Sequence, residues 1–314
     1  MARILVTGGA GFIGSHIVDG LLRRGDTVCV LDNLSTGQRQ NLDFCQGQIE
    51  WFEGDLNDSE LVGRALAGVE VVIHQAALPS VPVSLKNPVA THAACVTGTV
   101  HLLDQARHSA VRRVVYAASS SLYGDQPTMS NRETDVPAPR SPYAAAKLAA
   151  EYYCHAFYHS FGLETVCLRY FNVFGPRQDP QSPYSAVIPL FITALLAGHR
   201  PTVFGDGLQS RDFTYVENVV QGNLLATEAS GVAGRSFNLA QGSRTSLLEL
   251  IAILNRFLDT DLEPVHAEAR AGDIRDSSAD ITLARQILGY QPQVDFREGL
   301  RRSIEYYREW TKSS

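Results

Sequence analysis

The sequence predicts an α/β fold, a Rossmann-type doubly wound parallel sheet joined to a smaller mixed α/β substrate lobe. Three observations predict it. A glycine turn separates a short apolar run from a helical pattern. An acidic residue ends the next apolar run. Strands and helices then alternate through the first 170 residues.

Residues 2–7 form the first run and suit a buried parallel strand. Gly8-Gly9-Ala10-Gly11-Phe12-Ile13-Gly14 follows, then a helical pattern through Ile17, Leu21 and Leu22 that Gly25 ends. Glycines here let backbone approach a pyrophosphate, and the helix N-terminus faces its charge. Gly8, Gly11, Phe12, Ile13 and Gly14 are therefore candidate cofactor contacts. Residues 27–31 form a second strand that delivers Asp32, followed by Asn33. A carboxylate at this point binds the adenosine ribose hydroxyls and repels a 2′-phosphate, so the cofactor expected is NAD rather than NADP. The competing reading is a tight turn and a capping acid.

Residues 49–53 form a strand ending at Gly54-Asp55-Leu56, and 58–66 a helix. Residues 69–74 form a strand leading into Gln75-Ala76-Ala77, where small side chains leave room for a cofactor. A long helix is expected over 89–108 and a strand over 112–118, which opens into Ser119-Ser120-Ser121-Leu122-Tyr123-Gly124. Ser141 suits an N-cap and Pro142 a first helical position. The helix they start runs to about residue 161 and carries Tyr143 and Lys147 one turn apart on one face. An ammonium beside a phenol lowers the phenol's pKa, so this pair suits proton transfer. In isolation the same spacing also fits a surface Tyr with a solvated Lys. A strand over 164–170 completes the series. Ligands of such sheets lie at the carboxyl ends of the strands, where Ser119 and the loop before Tyr143 both fall.

The chain of 314 residues is long enough for a large core and two lobes. Its 45% hydrophobic and 19% charged content is that of an ordinary soluble protein. A formal net charge of −6 and the lack of basic blocks argue against a nucleic-acid or anionic-membrane surface. No apolar run approaches a membrane span, and the first residues enter a strand without a signal-peptide pattern. Cys29, Cys45, Cys95, Cys154 and Cys167 are scattered without metal-ligand spacing, so reduced thiols in a cytoplasmic protein are expected and no metal. After Tyr170 the loops lengthen and grow rich in Pro, Gly and Arg, with short helices near 187–196, 216–228, 247–258, 281–288 and 298–307. The cofactor domain is expected over 1–170 with a later return near 213–240, and the second lobe mainly over 171–314.

The assembled motifs resemble the extended short-chain dehydrogenase/reductases, specifically the NAD-dependent nucleotide-sugar epimerase/dehydratase family. They are Thr7 to Gly14, Asp32, Asp55-Leu56, His74-Gln75-Ala76-Ala77, Ser119 with Tyr143 and Lys147, and Arg169-Tyr170-Phe171-Asn172-Val173-Phe174-Gly175-Pro176. Gly205-Asp206-Gly207, Arg211-Asp212-Phe213 and Arg270-Ala271-Gly272-Asp273 extend the match over nearly the whole chain. The resemblance implies that Tyr143 moves the sugar O4 proton, Lys147 holds the nicotinamide ribose and Ser119 bonds the reacting oxygen. It also implies that Asp32, Asn33, Asp55, Leu56, Gln75, Ala76, Ala77 and Tyr170 contact NAD. Asn172 and Arg211 would meet the diphosphate, although Arg211 also reads as a surface arginine. Arg270 and Asp273 would bind phosphate and the uridine ribose.

Decarboxylases and dehydratases of the family usually carry an acid just after the catalytic Ser or Thr. Here Ser120 and Ser121 stand there. The resemblance then implies reversible C4 epimerisation of a UDP-hexose through a 4-keto sugar, with tightly bound NAD. Ser80, Ser84 and the serines after Ser119, with Val187 in Tyr184-Ser185-Ala186-Val187-Ile188-Pro189, are similar to UDP-N-acetylglucosamine 4-epimerases. Ser277 stands where epimerases restricted to non-acetylated hexoses carry a bulky Tyr. A small residue there leaves room for an acetamido group, unless Ser277 is merely a loop serine before the cap at Asp280. One departure is Cys95, where the family usually has Asn. UDP-glucuronate 4-epimerisation, net NAD-dependent oxidation and a non-catalytic dinucleotide-binding role are the competing readings. A homodimer is expected, with Leu148, Tyr152, Tyr153 and Phe157 of the Tyr143 helix available for packing.

Overall fold

A computed structural model describes residues 1–126, 130–181, 186–269 and 275–313. Its centre is a seven-stranded sheet in which every pairing is parallel. The strands are β1 (Arg3–Thr7), β2 (Thr27–Asp32), β3 (Ile49–Glu53), β4 (Val71–His74), β5 (Arg113–Ser119), β6 (Glu164–Tyr170) and β7 (Arg235–Leu239). Their spatial order is β7-β6-β5-β4-β1-β2-β3. Chain order therefore reverses between β1 and β4, and the crevice at that switch point is where a doubly wound sheet takes its ligand.

Both faces of the sheet are covered, and the side-chain alternation of a strand decides which residue serves which face. Ile4, Val6, Val28, Val30, Val71 and Ile73 pack on one side, with helix Phe12–Arg24 and helix Val216–Glu228. Leu5, Cys29, Leu31, Val72, Val114 and Tyr116 pack on the other, with helices Ser59–Ala65, Gly98–Arg107 and Pro142–Phe161. Helix Val216–Glu228 and the edge strand β7 come from late in the chain and join this sheet. A third core gathers helices Val187–Leu196, Leu247–Leu258 and Phe296–Ser313 around Phe174, Phe191, Leu250 and Tyr307. All five cysteines are free and buried. No helix among the described residues is long and apolar enough to cross a membrane.

Four local differences from the sequence expectation have physical causes. The helix expected over 89–108 is Pro88–His92, a π-turn over Ala93–Thr97, and Gly98–Arg107. Thr99 Oγ1 donates to the Cys95 carbonyl at 2.7 Å, and such a side-chain bond into the ladder accompanies the widened turn. The stretch after Ser80 forms a short helix, Val81–Lys86, that the sequence pattern did not mark, and Ser80 caps it by accepting from Val83 N at 3.2 Å. The pattern near 281–288 closes as a π-turn over Ala284–Leu288, stopped by Gly289 at φ 72°. Of the four residues expected at a dimer face, Phe157 is buried in the core on one face of the sheet, Leu148 is half-buried against the core on the other, and Tyr152 and Tyr153 are exposed.

Candidate active site

The helix start is built as its sequence dictates. Ser141 Oγ accepts from Ala144 N at 3.2 Å, and Pro142 fills the first helical turn. The helix then stacks Tyr143, Lys147 and Glu151 along one stripe. Tyr143 is half-buried at the carboxyl edge of the sheet, and the Ser119 hydroxyl acts on its phenol. Ser119 ends β5. Its hydroxyl accepts from Ser121 N at 3.2 Å and lies 2.9 Å from the Ser121 hydroxyl. Two hydroxyls are thus paired beside Tyr143, with Ser120 half-buried in the same turn.

Lys147 changes the electrostatic expectation. Its ammonium is buried, donates to the Ala117 carbonyl at 2.8 Å and lies 4.9 Å from the centre of the Tyr116 ring. Burial pushes its pKa down. Burial, with the Cys95 thiol nearby, pushes the Tyr143 phenol up, and the Ser119 hydroxyl is what pulls it down. The expectation that Lys147 depresses the Tyr143 pKa is corrected: the structure turns the ammonium to a strand-end carbonyl.

Two buried networks support this edge. His74, pushed down to about 3 by burial, is neutral. Thr99 gives its proton to Cys95 O, so His74 Nε2 donates to Thr99 Oγ1 at 2.9 Å and Nδ1 accepts from Thr7 Oγ1 at 2.6 Å. The end of β1, the end of β4 and the π-turn are tied by one chain. In the second network Arg169 Nη2 donates to Glu151 Oε1 at 2.6 Å and Arg169 Nη1 to Tyr123 Oη at 2.7 Å. Tyr123 in turn donates to Asn238 Oδ1 at 2.7 Å. Sequence reasoning assigned no role to Glu151, although its position one turn beyond Lys147 marks it.

At the switch point the glycine turn fits a dinucleotide. Gly11 N-caps helix Phe12–Arg24 with no side-chain bond, so the first-turn N–H groups of Phe12, Ile13 and Gly14 face an anion without competition. A Cβ on Gly14 would lie 2.0 Å from Gly8 O, and one on Gly8 would meet Ala76 N at 2.7 Å with φ at +69°. The turn and the Gln75-Ala76-Ala77 segment are therefore in backbone contact. Asp32 is buried. It accepts from Ala10 N at 2.9 Å and Leu34 N at 2.8 Å, so it also shapes the turn. Asn33 Nδ2 donates to Asp55 Oδ2 at 2.7 Å, and both residues are exposed. Gln75 donates to Tyr170 Oη at 2.9 Å, and Tyr170 to Asn223 Oδ1 at 2.9 Å. Leu56 differs from expectation, because its side chain is buried in the core. So does Ser84, which is fully buried with its hydroxyl donating to Val81 O at 2.7 Å.

The second lobe holds a cavity of about 270 Å³. Asn172, Val187 and Arg211 all line it, so three expected substrate residues from distant segments meet there. Arg211 Nη1 donates to Ser210 O at 2.8 Å. Ser277 lies beside Arg211, opposite it in a parallel strand pair, and is half-buried. Arg270 and Asp273 lie outside the described residues. Phe204, Gln209 and Leu247 also line the cavity and were not foreseen. The spacing of Gln209 and Arg211, two apart in extended chain, is the signal that would have found Gln209.

A model of the NAD dependent epimerase/dehydratase family matches residues 4–240. The chain belongs to that family. A UDP-glucose 4-epimerase of Mycolicibacterium smegmatis is 40% identical over 311 residues, covering 98% of both chains. A solved UDP-N-acetylglucosamine 4-epimerase of Methanobrevibacter ruminantium, in complex with UDP-N-acetylmuramic acid, superposes with a TM-score of 0.94. It is 38% identical and covers 98% of this chain and 99% of its own. A UDP-glucose 4-epimerase of Thermus thermophilus, solved with NAD, is 37% identical with a TM-score of 0.89 over 98% of this chain and 99% of its own. The epimerase family's cofactor, NAD, is the cofactor of this chain.

Proposed function

We propose that this isomerase, a UDP-sugar 4-epimerase, interconverts UDP-N-acetylglucosamine and UDP-N-acetylgalactosamine, with UDP-glucose and UDP-galactose as further substrates. The observation that carries the reading is the pair of Ser119 and Ser121 hydroxyls, 2.9 Å apart beside Tyr143, in a turn that holds serines and no carboxylate. Elimination needs an acid at that turn. Proton transfer alone needs only the phenol and its hydroxyl partners. NAD, when bound, supplies the hydride acceptor and, on return, the donor.

The chain's own residues have the following work. Tyr143 takes the proton from sugar O4 and later restores it. Ser119 and Ser121 hold the same oxygen as it changes from hydroxyl to ketone. Lys147, anchored on Ala117 O, carries the ammonium that steadies the cofactor ribose. Asn172 and Arg211 grip the nucleotide diphosphate, which leaves the 4-keto sugar free to turn over between the two transfers. Ser277, small and beside Arg211, leaves space for the acetamido group.

The lobe boundary and the partner follow from the same reading. The first lobe, with its return through β7, holds NAD, and the second holds the nucleotide. Two copies pair through the faces that expose Leu85, Val89, Tyr152 and Tyr153, and light scattering of purified protein should give twice the chain mass. Buried free thiols suit a cytoplasmic setting. The deciding assay incubates purified protein with UDP-N-acetylglucosamine, UDP-glucose and UDP-glucuronate and separates the 4-epimers while following absorbance of NADH. Epimers from the acetylated substrate without net NADH are expected. Epimer from UDP-glucuronate alone would move the substrate assignment, and no epimer from any would sink it.

A further inference from the structure

The strand that carries Ser277 is held from two sides. On one side Ser277 pairs with Arg211. On the other stands Asn131, from the loop between Tyr123 and the Tyr143 helix, which forms an isolated parallel bridge with Ala279. The Asn131 backbone N–H and its side-chain Nδ2 both donate to the Ser278 carbonyl, at 2.8 and 3.1 Å. Its own carbonyl accepts from Asp280 N at 2.9 Å. Asn131 is only 7% exposed and is not among the residues that line the cavity.

The same loop is fixed to the sheet and to the active-site helix. Asn238, in β7, donates to the carbonyls of Asn131 and Asp280 at 3.0 and 3.1 Å and accepts from Tyr123 Oη at 2.7 Å. Glu133 Oε1 accepts from Asn238 N at 2.7 Å, and the Glu133 carbonyl accepts from Arg169 Nη1 at 3.3 Å. Arg169 in turn bonds Glu151, two turns beyond Tyr143. Residues 131–133 are therefore clamped between the Ser277 strand and the Tyr143 helix. These bonds join segments far apart in sequence. They fix where the segments sit relative to one another rather than the shape of any one of them. A small side chain at Ser277 leaves space beside the sugar only while its strand stays in place.

Resting on the epimerase reading above, we propose that Asn131 is a positioning residue for sugar selectivity, holding the Ser277 strand at the separation from Tyr143 that an N-acetylated sugar requires. It acts through Ser278 rather than on the sugar itself. UDP-glucose has no acetamido group to seat and does not depend on the clamp. Small displacements of this kind, made away from the reacting atoms, are enough to change how a substrate is held.

The test compares kcat and KM for UDP-N-acetylglucosamine and UDP-glucose in NAD-loaded protein, with UDP affinity read by calorimetry. Asn131→Ala removes one bond to the Ser278 carbonyl, and Asn131→Pro removes both. KM for the acetylated substrate should rise about 3-fold in the first and about 10-fold in the second. KM for UDP-glucose, UDP affinity and kcat should stay within about twofold, because Tyr143, Ser119 and Arg211 are untouched. A merely structural residue would lower the melting temperature and weaken all three ligands alike. Added to Ser277→Tyr, Asn131→Ala should cost the acetylated substrate nothing more, since the space it guarded is already filled. The Ala variant decides the matter if the Pro variant does not fold. No loss, equal losses for all ligands, or an additive loss in the double variant overturns this inference alone. A wild type that epimerises UDP-glucose but not UDP-N-acetylglucosamine overturns it together with the acetylated-substrate assignment. One that epimerises neither overturns it together with the epimerase reading.

Discussion

The sheet edge and the second-lobe cavity solve opposite problems. At the edge, most polar side chains around Tyr143 are paired within the protein: Ser119 bonds Ser121, Lys147 bonds Ala117 O, and His74 spends both ring nitrogens on threonines, while the Tyr116 hydroxyl has no partner. In the cavity, largely aromatic walls surround about 270 Å³ of open space. The difference teaches where each kind of work is done. Chemistry requires atoms held still before the substrate arrives, so their valences are filled by the fold. Recognition requires space kept open for the ligand.

Removing the reacting group tests the first half of that contrast most severely. Tyr143→Phe should lower kcat by about 10²- to 10⁴-fold while leaving UDP binding within a few-fold, because the phenol takes no part in the cavity. Equal loss in UDP affinity, read by calorimetry, would merge the two regions and break the comparison.

The buried support of the edge gives the next largest effect. Arg169→Met takes from the buried Glu151 the guanidinium that bonds it directly, leaving Ser236 and the His155 ring 3.8 Å away. Breaking such a pair costs about 3–5 kcal/mol, to be read as a lower urea midpoint. A loss under about 1 kcal/mol would show that the network adds little to the edge. In the cavity region the comparable change is Ser277→Tyr. It should raise KM for UDP-N-acetylglucosamine about 10-fold or more and spare UDP-glucose, without moving the urea midpoint by more than about 1 kcal/mol. Unchanged selectivity would remove Ser277 from the sugar site.

The same contrast explains what was legible in the sequence. β1 to β6 and the Tyr143 helix follow from local pattern: apolar runs, Gly8 to Gly14, and the Ser141-Pro142 start. These signals depend on backbone conformation and hydration, which neighbours in sequence largely determine. Lys147 shows the limit. Its spacing from Tyr143 was visible, but its true partner, Ala117 O, lies thirty residues away in β5. The burial of Leu56 and Ser84 was hidden for the same reason, since burial is a property of the packed layers rather than of the motif. The cavity was legible only in pieces. Asn172, Val187 and Arg211 could be named one by one, while Gln209 needed the tertiary structure to bring it to the same cavity.

The smallest expected effect concerns charge beneath the edge, and His155 is the residue to titrate. His155 Nδ1 lies 3.1 Å from the Gly234 carbonyl, which can only accept. Nε2 lies 3.0 Å from Ser236 Oγ, whose own proton goes to Glu151 Oε1 at 2.7 Å. Both ring nitrogens must therefore donate, which makes the ring an imidazolium. Its contacts with Cys167 and then Glu151 raise its pKa to about 10. Burial works against the Glu151 carboxylate, but the nearby His155 ring and the hydrogen bonds from Arg169 and Ser236 outweigh it and hold the pKa at about 2. A raised histidine pKa stabilises the fold fully below the unfolded value of about 6.5, and that contribution is lost as pH rises through about 10. His155→Gln should accordingly melt below the wild type by roughly 2–4 °C at pH 6, and the two melting curves should converge near pH 10. Two curves that stay parallel from pH 6 to pH 10 would mean that His155 is neutral in the fold and that the edge rests on Arg169 alone.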